Sequence, residues 1–245
     1  MKKNNKEILI VIATHGNERI GVEVVKNLVK QKLDYFFDYL VANPKALRKN
    51  VRFIDSDLNR SYPGNDKSDR YEEKLAKKNI KIAKRYKYVI DLHEAMLGTK
   101  NFIIIPRNKL DINFPLDFIN LDTVLLWPDP KGPLGSCLKN TIELEFGMKG
   151  KNREIVIDKA VRIVKEFICL SCGLDNCPKV KTKKKQVFKV YGKTSLQEAS
   201  KYNLKYRDFK EIRTPREKFY PLLVNQYRDI GIAFYKMTSY IINSS

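Results

Sequence analysis

The sequence predicts an α/β protein, a sheet covered on both faces by helices, with a small β-rich C-terminal part. Three observations predict it. Apolar runs of strand length alternate with stretches of helical periodicity through the first part of the chain. Both histidines, His15 and His93, fall just past such apolar runs, at the edge where open α/β sheets bind ligands. After Cys177 the texture changes to lysine-rich, proline-containing sequence and then to short strand-like pieces. The expected division is a catalytic domain over 1–178 and a small β-rich domain over 179–245.

Each element has its own signal. Residues 7–13 form an apolar run bounded by polar residues and read as a buried strand. Residues 14–18 are the turn after it. Ile20, Val24, Val25, Leu28 and Val29 recur at helical spacing and predict a helix over 19–31. Residues 36–42 read as the next strand, closed by the turn chemistry of Asn43-Pro44. Residues 50–64 show no period and end in Pro-Gly, which marks a loop. A helix is expected over 71–86 and a second buried strand over 88–92, ending at His93. Short strands follow at 101–106, 123–127 and 140–146, then a well-patterned helix over 154–169. Residues 186–191 open the C-terminal strands.

The bulk composition excludes several function classes. With 43% hydrophobic residues, the chain has material for a real core. Its longest apolar runs, 8–13 and 102–105, fall far short of the roughly 20 residues that a membrane-spanning helix needs. The first of them is also too short for a signal-peptide core, and it leads into a His and a Glu rather than a cleavage site. The expected location is therefore the cytoplasm, with no membrane partner and no disulfide. The net charge of +20 permits anionic partners, but the lysines are spread over the chain and no nucleic-acid module signature is present. A specific nucleic-acid role is not expected, and self-association is left open. Cys169, Cys172 and Cys177 read C-x2-C-x4-C. No fourth ligand is obvious, and the first two end a helical pattern, so structural thiols are the expected reading.

The chemistry concentrates elsewhere. His15 and Glu18 form H-x-x-E, and the Gly16-Asn17 turn lets both reach one ion. With His93 they complete a His2Glu set, one of the established donor sets of catalytic zinc, with one Zn2+ per chain. Asp91 reads equally well as an outer carboxylate orienting an imidazole or as a solvated strand-end acid. The loop carrying Arg52, Asn59 and Arg60 suits a carboxylate, and it also reads as a salt-bridged surface turn. Glu143 and Glu145 lie on one face of their strand.

Taken in order, THGNE at 14–18, RFIDSDLNR at 52–60, DLH at 91–93 and EFG at 145–147 resemble the succinylglutamate desuccinylase/aspartoacylase family, a branch of the zinc carboxypeptidase-like fold. The segment 219–227, FYPLLVNQY, is similar to the tyrosine-bearing segment of aspartoacylases. The resemblance implies a twisted mixed sheet flanked by helices. It implies that His15, Glu18 and His93 bind zinc and that Glu145 is the general base and then the general acid. It implies that Arg52 polarises the scissile carbonyl, that Asn59 and Arg60 hold a substrate carboxylate, and that Tyr227 lies over the substrate. The implied activity is deacylation of a small anionic N-acyl amino acid, at a carbon–nitrogen bond other than a peptide bond.

The chain departs from the family pattern in three places. It is short in its C-terminal part. A family arginine some ten residues before the base has only Lys139 as a counterpart, and Gln226 stands where an acid is expected. These departures bear on specificity rather than on the hydrolytic core. Two alternatives stay open: a metallocarboxypeptidase acting on a peptide C-terminus, and a non-catalytic binding protein on the same fold.

Overall fold

The computed structural model describes residues 6–128, 132–174, 184–201 and 204–240. Its elements run β1 (Ile8–Ile12), α1 (Ile20–Lys30), β2 (Phe37–Val41), α2 (Pro44–Lys49), α3 (Tyr71–Ala83), β3 (Tyr88–Ala95), β4 (Phe102–Ile105), β5 (Thr123–Leu126), α4 (Leu134–Cys137), β6 (Thr141–Gly147), α5 (Arg153–Cys172), β7 (Gln186–Ser195), α6 (Leu196–Ser200), β8 (Ile212–Arg213), β9 (Lys218–Leu222) and β10 (Ile232–Ser239).

Among the described residues, one mixed sheet of ten strands runs in the order β2-β1-β3-β6-β4-β5-β7-β10-β9-β8. Strands β2, β1, β3 and β6 are mutually parallel, and β4 joins β6 antiparallel. The apolar run of β1 is buried on both faces, as a parallel central strand requires. Ile8, Ile10 and Ile12 meet α1 and α5 through Ile20, Val24, Leu28, Val164 and Phe167. Leu9 and Val11 turn the other way, against Ala76, Ile80 and Ala83 of α3 and Leu134 of α4. The expected helix cover on both faces is thus the cover observed.

Three features differ from the sequence reading. Asn43-Pro44 begins α2 rather than ending a strand in a loop. The Asn43 side chain accepts from Ala46 N at 3.2 Å, and Pro44 occupies the first turn, where its missing N–H costs nothing. Strand β3 runs on to Ala95, so His93 lies within its last residues rather than beyond its end. The sheet also continues into the C-terminal part, because β7 pairs parallel with β5 through Val124↔Val187 and Leu125↔Phe188. Beyond β7 the pairing is antiparallel throughout, β7 with β10, β10 with β9 and β9 with β8.

Candidate metal centre and active site

The turn that carries His15 and Glu18 follows β1 directly. Ala13 takes a left-handed φ of 55°, which swings the chain out of the strand direction at Thr14-His15. Gly16 then packs against α2 so closely that a Cβ would lie 2.1 Å from the backbone carbon of Ala46. Only glycine fits there, and its N–H donates to Arg52 O at 3.2 Å, tying the turn to the next loop.

His15, Glu18 and His93 converge, all buried, with one donor atom from each lying within 4.8 Å of the others. His15 Nδ1 stands 2.6 Å from Glu18 Oε1, and His93 Nδ1 stands 3.0 Å from Glu18 Oε2. The opposite ring nitrogens face outer carboxylates. His15 Nε2 is 3.0 Å from Asp57 Oδ1, and His93 Nε2 is 3.3 Å from Asp91 Oδ2. Asp91 is held by the Thr14 hydroxyl, which donates to both its oxygens at 3.0 Å. A carboxylate behind each imidazole directs the Nδ1 lone pairs inward. Two such nitrogens and a carboxylate are a donor set that fits Zn2+.

The electrostatics follow from burial and neighbours. Burial raises Glu18, but the two imidazoles outweigh it and hold the carboxyl below its usual range. Burial lowers His15 and His93, and the surrounding carboxylates outweigh it and raise both. Strand register sets Glu145 opposite His93 and Glu143 opposite Asp91. Burial pushes Glu145 up to about 8, with Glu18 and Glu143 adding to the shift against His93. It pushes Glu143 up to about 7. A carboxyl in this range can take and return a proton near neutral pH.

The loop after α2 is built around two acids. Glu72 of α3 accepts from the backbone N–H groups of Ile54, Asp55 and Ser56 and from the Asn43 side chain, at 2.7–3.1 Å. Asp57 accepts from Arg52 Nε and Nη2 at 3.1 and 3.0 Å while facing His15, so a single carboxylate contacts both an imidazole and a guanidinium. Arg52 Nη1 stands 3.5 Å from Glu18 Oε1. Asn59 is buried, and its side chain favours the charged form of Glu143. Arg60 Nη1 donates to Asn59 O at 2.8 Å.

His15, Glu18, Arg52, Asn59, Arg60, His93, Glu145 and Tyr227 all line one cavity. Glu143 and Gln226 line it too, with Ile104, Pro106, Trp127, Pro133 and Leu223 as apolar wall. Gln226 accepts from Leu97 N at 2.7 Å, which ties the segment before Tyr227 to the loop after β3. Burial raises the Tyr227 hydroxyl well above its ordinary value. Lys139 is absent from this wall; it is ion-paired with Asp111 at 2.6 Å elsewhere on the surface.

Asp57, Thr14, Glu72 and Glu94 escaped the sequence reading. Asp57 and Thr14 sit inside the two motifs, so the motifs themselves were the signal. Glu94 follows His93, donates its N–H to Glu18 Oε2 at 3.2 Å, and takes Arg153 bidentately at 2.7 and 3.1 Å. Its carboxylate also accepts from Ile20 N at 2.8 Å, joining β3, α1 and α5. Of the cysteine trio, Cys169 is buried and Cys172 exposed at the end of α5, and Cys177 lies outside the described residues. Among the described residues, His15, Glu18 and His93 are the one His/Cys/Asp/Glu group placed to hold a metal, and no helix is long and apolar enough to cross a membrane.

The family model for the succinylglutamate desuccinylase/aspartoacylase catalytic domain matches residues 4–170. The N-acyl-aromatic-L-amino acid amidohydrolase (carboxylate-forming) of Xenopus tropicalis is 28% identical over 204 residues, covering 69% of this chain and 62% of that protein. The chain therefore spans less than two thirds of that relative's length. Murine aminoacylase 3 superposes with a TM-score of 0.73 at 18% identity, over 98% of this chain and 97% of that one. The succinylglutamate desuccinylase from Chromobacterium violaceum gives a TM-score of 0.73 at 20% identity, over 99% and 88%. At these identities the solved structures establish a shared fold.

Proposed function

The chain belongs to the succinylglutamate desuccinylase/aspartoacylase family, and from that premise we propose that it is a zinc-dependent amide hydrolase acting on small carboxylate-bearing N-acyl amino acids. The observation that carries this reading is the register of β3 and β6, which sets Glu145 beside His93 at the point where His15 and Glu18 converge. His15, Glu18 and His93 would hold one Zn2+, which supplies Lewis acidity and an acidified water when bound.

The chain's own groups account for the remaining chemistry. Glu145 accepts the water proton and returns it to the leaving amine nitrogen. Arg52, held by Asp57, aims its guanidinium at the oxygen that becomes negative as the amide carbon turns tetrahedral. Arg60 and the Asn59 amide take the substrate carboxylate. Tyr227 covers the bound molecule from the C-terminal side. On this reading residues 1–178 form the catalytic domain, and 179–245 form a β-rich domain that closes the cavity. The cytoplasmic location expected from the sequence belongs to the same proposal.

A wall formed by Leu223, Gln226 and Tyr227 favours a small molecule over a peptide. The test is release of free amine from N-acetyl amino acids and from peptides with free C-termini, with and without a chelator. Release from the acyl amino acids, lost with chelator and restored by zinc, is the expected result. Release from peptides alone would replace this reading with a carboxypeptidase, and no release from either would favour a binding protein.

A further inference from the structure

Two acids of β6 face the cavity, and the reaction above uses one. Glu143 is one step deeper than Glu145, opposite Asp91, and is 3% exposed. Its Oε1 has no hydrogen-bond partner among the described residues, and neither has Asn59 Oδ1. Asn59 lines the same cavity and favours the charged form of Glu143. Two residues of the cavity wall thus each carry a buried acceptor oxygen that the described residues leave without a donor. A buried carboxylate oxygen left unmatched is costly, so a ligand that brings donors is favoured there.

We propose that Glu143, with Asn59, is a specificity site for a cationic, N–H-rich side chain, making the preferred substrates Nα-acyl amino acids of the lysine or ornithine type. The assignment rests on the reading of the cavity as an N-acyl amino acid site. Arg60 lies on the same wall, so the carboxylate and the cationic group belong to the same half of the substrate, the amino acid. A side-chain ammonium supplies three donors to the two oxygens and meets a carboxylate of opposite sign. A second carboxylate, as in an N-acyl aspartate, would bring like charge against Glu143 and neighbouring Asp91, which is rejection by repulsion.

The test compares Nα-acetyl-L-lysine, N-acetyl-L-norleucine and N-acetyl-L-aspartate on the zinc-loaded protein. Lysine and norleucine differ chiefly in the terminal ammonium. Hydrolysis is followed as kcat/KM, and affinity by calorimetry in a Glu145→Gln background, where turnover does not consume the ligand. The lysine derivative should be preferred over norleucine by about tenfold or more, the usual worth of a hydrogen bond to a charged group. The preference should fall below about threefold in Glu143→Gln, which keeps the shape and removes the charge. Glu143→Asp, retaining the charge, should keep part of it, and it serves in place of the glutamine variant should that one fail to fold. Equal or tighter binding of norleucine by the wild type, or a preference that survives Glu143→Gln, would overturn the assignment. Selective binding without hydrolysis would remove the hydrolase reading and leave Glu143's role standing. Hydrolysis without selectivity would do the reverse.

Discussion

The region of parallel strands β1, β3 and β6 and the region of antiparallel pairing, through the connection between β9 and β10, border the same cavity in different ways. The parallel strands supply every proposed ligand and the proposed base from positions inside strands or one turn beyond them. Each ligand is backed by a second group: His15 by Asp57, His93 by Asp91, and Glu18 by the Glu94 N–H. The antiparallel region supplies wall. Leu223, Gln226 and Tyr227 come from the connection between β9 and β10, which Gln226 ties to Leu97 in the loop after β3. The difference teaches where chemistry and selectivity reside. Groups that must hold an angle sit on covered strands with paired neighbours, and groups that shape the cavity sit on a connection that can vary without disturbing them.

Breaking the strand side should cost most. Glu145→Gln removes the proton carrier and leaves the three ligands, so turnover should fall by about 10²–10⁴-fold with zinc content retained. Steady-state kinetics alongside metal analysis checks this, and loss of metal with activity would show that Glu145 acts structurally. Asp57→Asn should come next, because it withdraws charge from His15 and Arg52 together. Zinc affinity should drop about 10–100-fold, measured by competition with a chelator. On the wall side the effects should be smaller. Tyr227→Phe should raise KM a few-fold, leave zinc affinity unchanged, and alter kcat less than Glu145→Gln does.

How much of this was legible in the sequence divides along the same line. The ligand residues stood out because the chain has two histidines, each attached to a strand whose apolar run is unmistakable. Of the residues named with them, Arg52, Asn59, Arg60, Glu145 and Tyr227 line the cavity, whereas Lys139 and Asp91 do not. The extension of β3 to Ala95 was hidden, because His93 and Glu94 interrupt the apolar run with buried polar groups that only tertiary partners explain. Asn43-Pro44 fits a turn and a helix N-cap equally well, and the choice falls to the chain that follows. The pairing of β7 with β5 and the grip of Glu72 on residues 54–56 join distant segments, and such contacts leave no local period to read.

The smallest expected effect probes the clasp between the two regions. Asp208 accepts from Val224 N at 2.9 Å and from Thr99 N at 3.4 Å, and burial raises its pKa. A carboxyl raised on folding adds stability below its unfolded pKa and loses it as pH climbs through the folded value. The melting temperature of the wild type relative to Asp208→Asn should therefore be highest at about pH 3 and decline toward about pH 6. A gap that widens over that range would contradict the assignment.

The most direct test of the central claim is metal content by mass spectrometry, on protein purified without added metal, for the wild type and His93→Ala in parallel. About one zinc per chain in the wild type, sharply reduced in the variant, is the result predicted for a three-ligand site. A wild type that stays metal-free when zinc is offered, or a variant that retains the full complement, would contradict it.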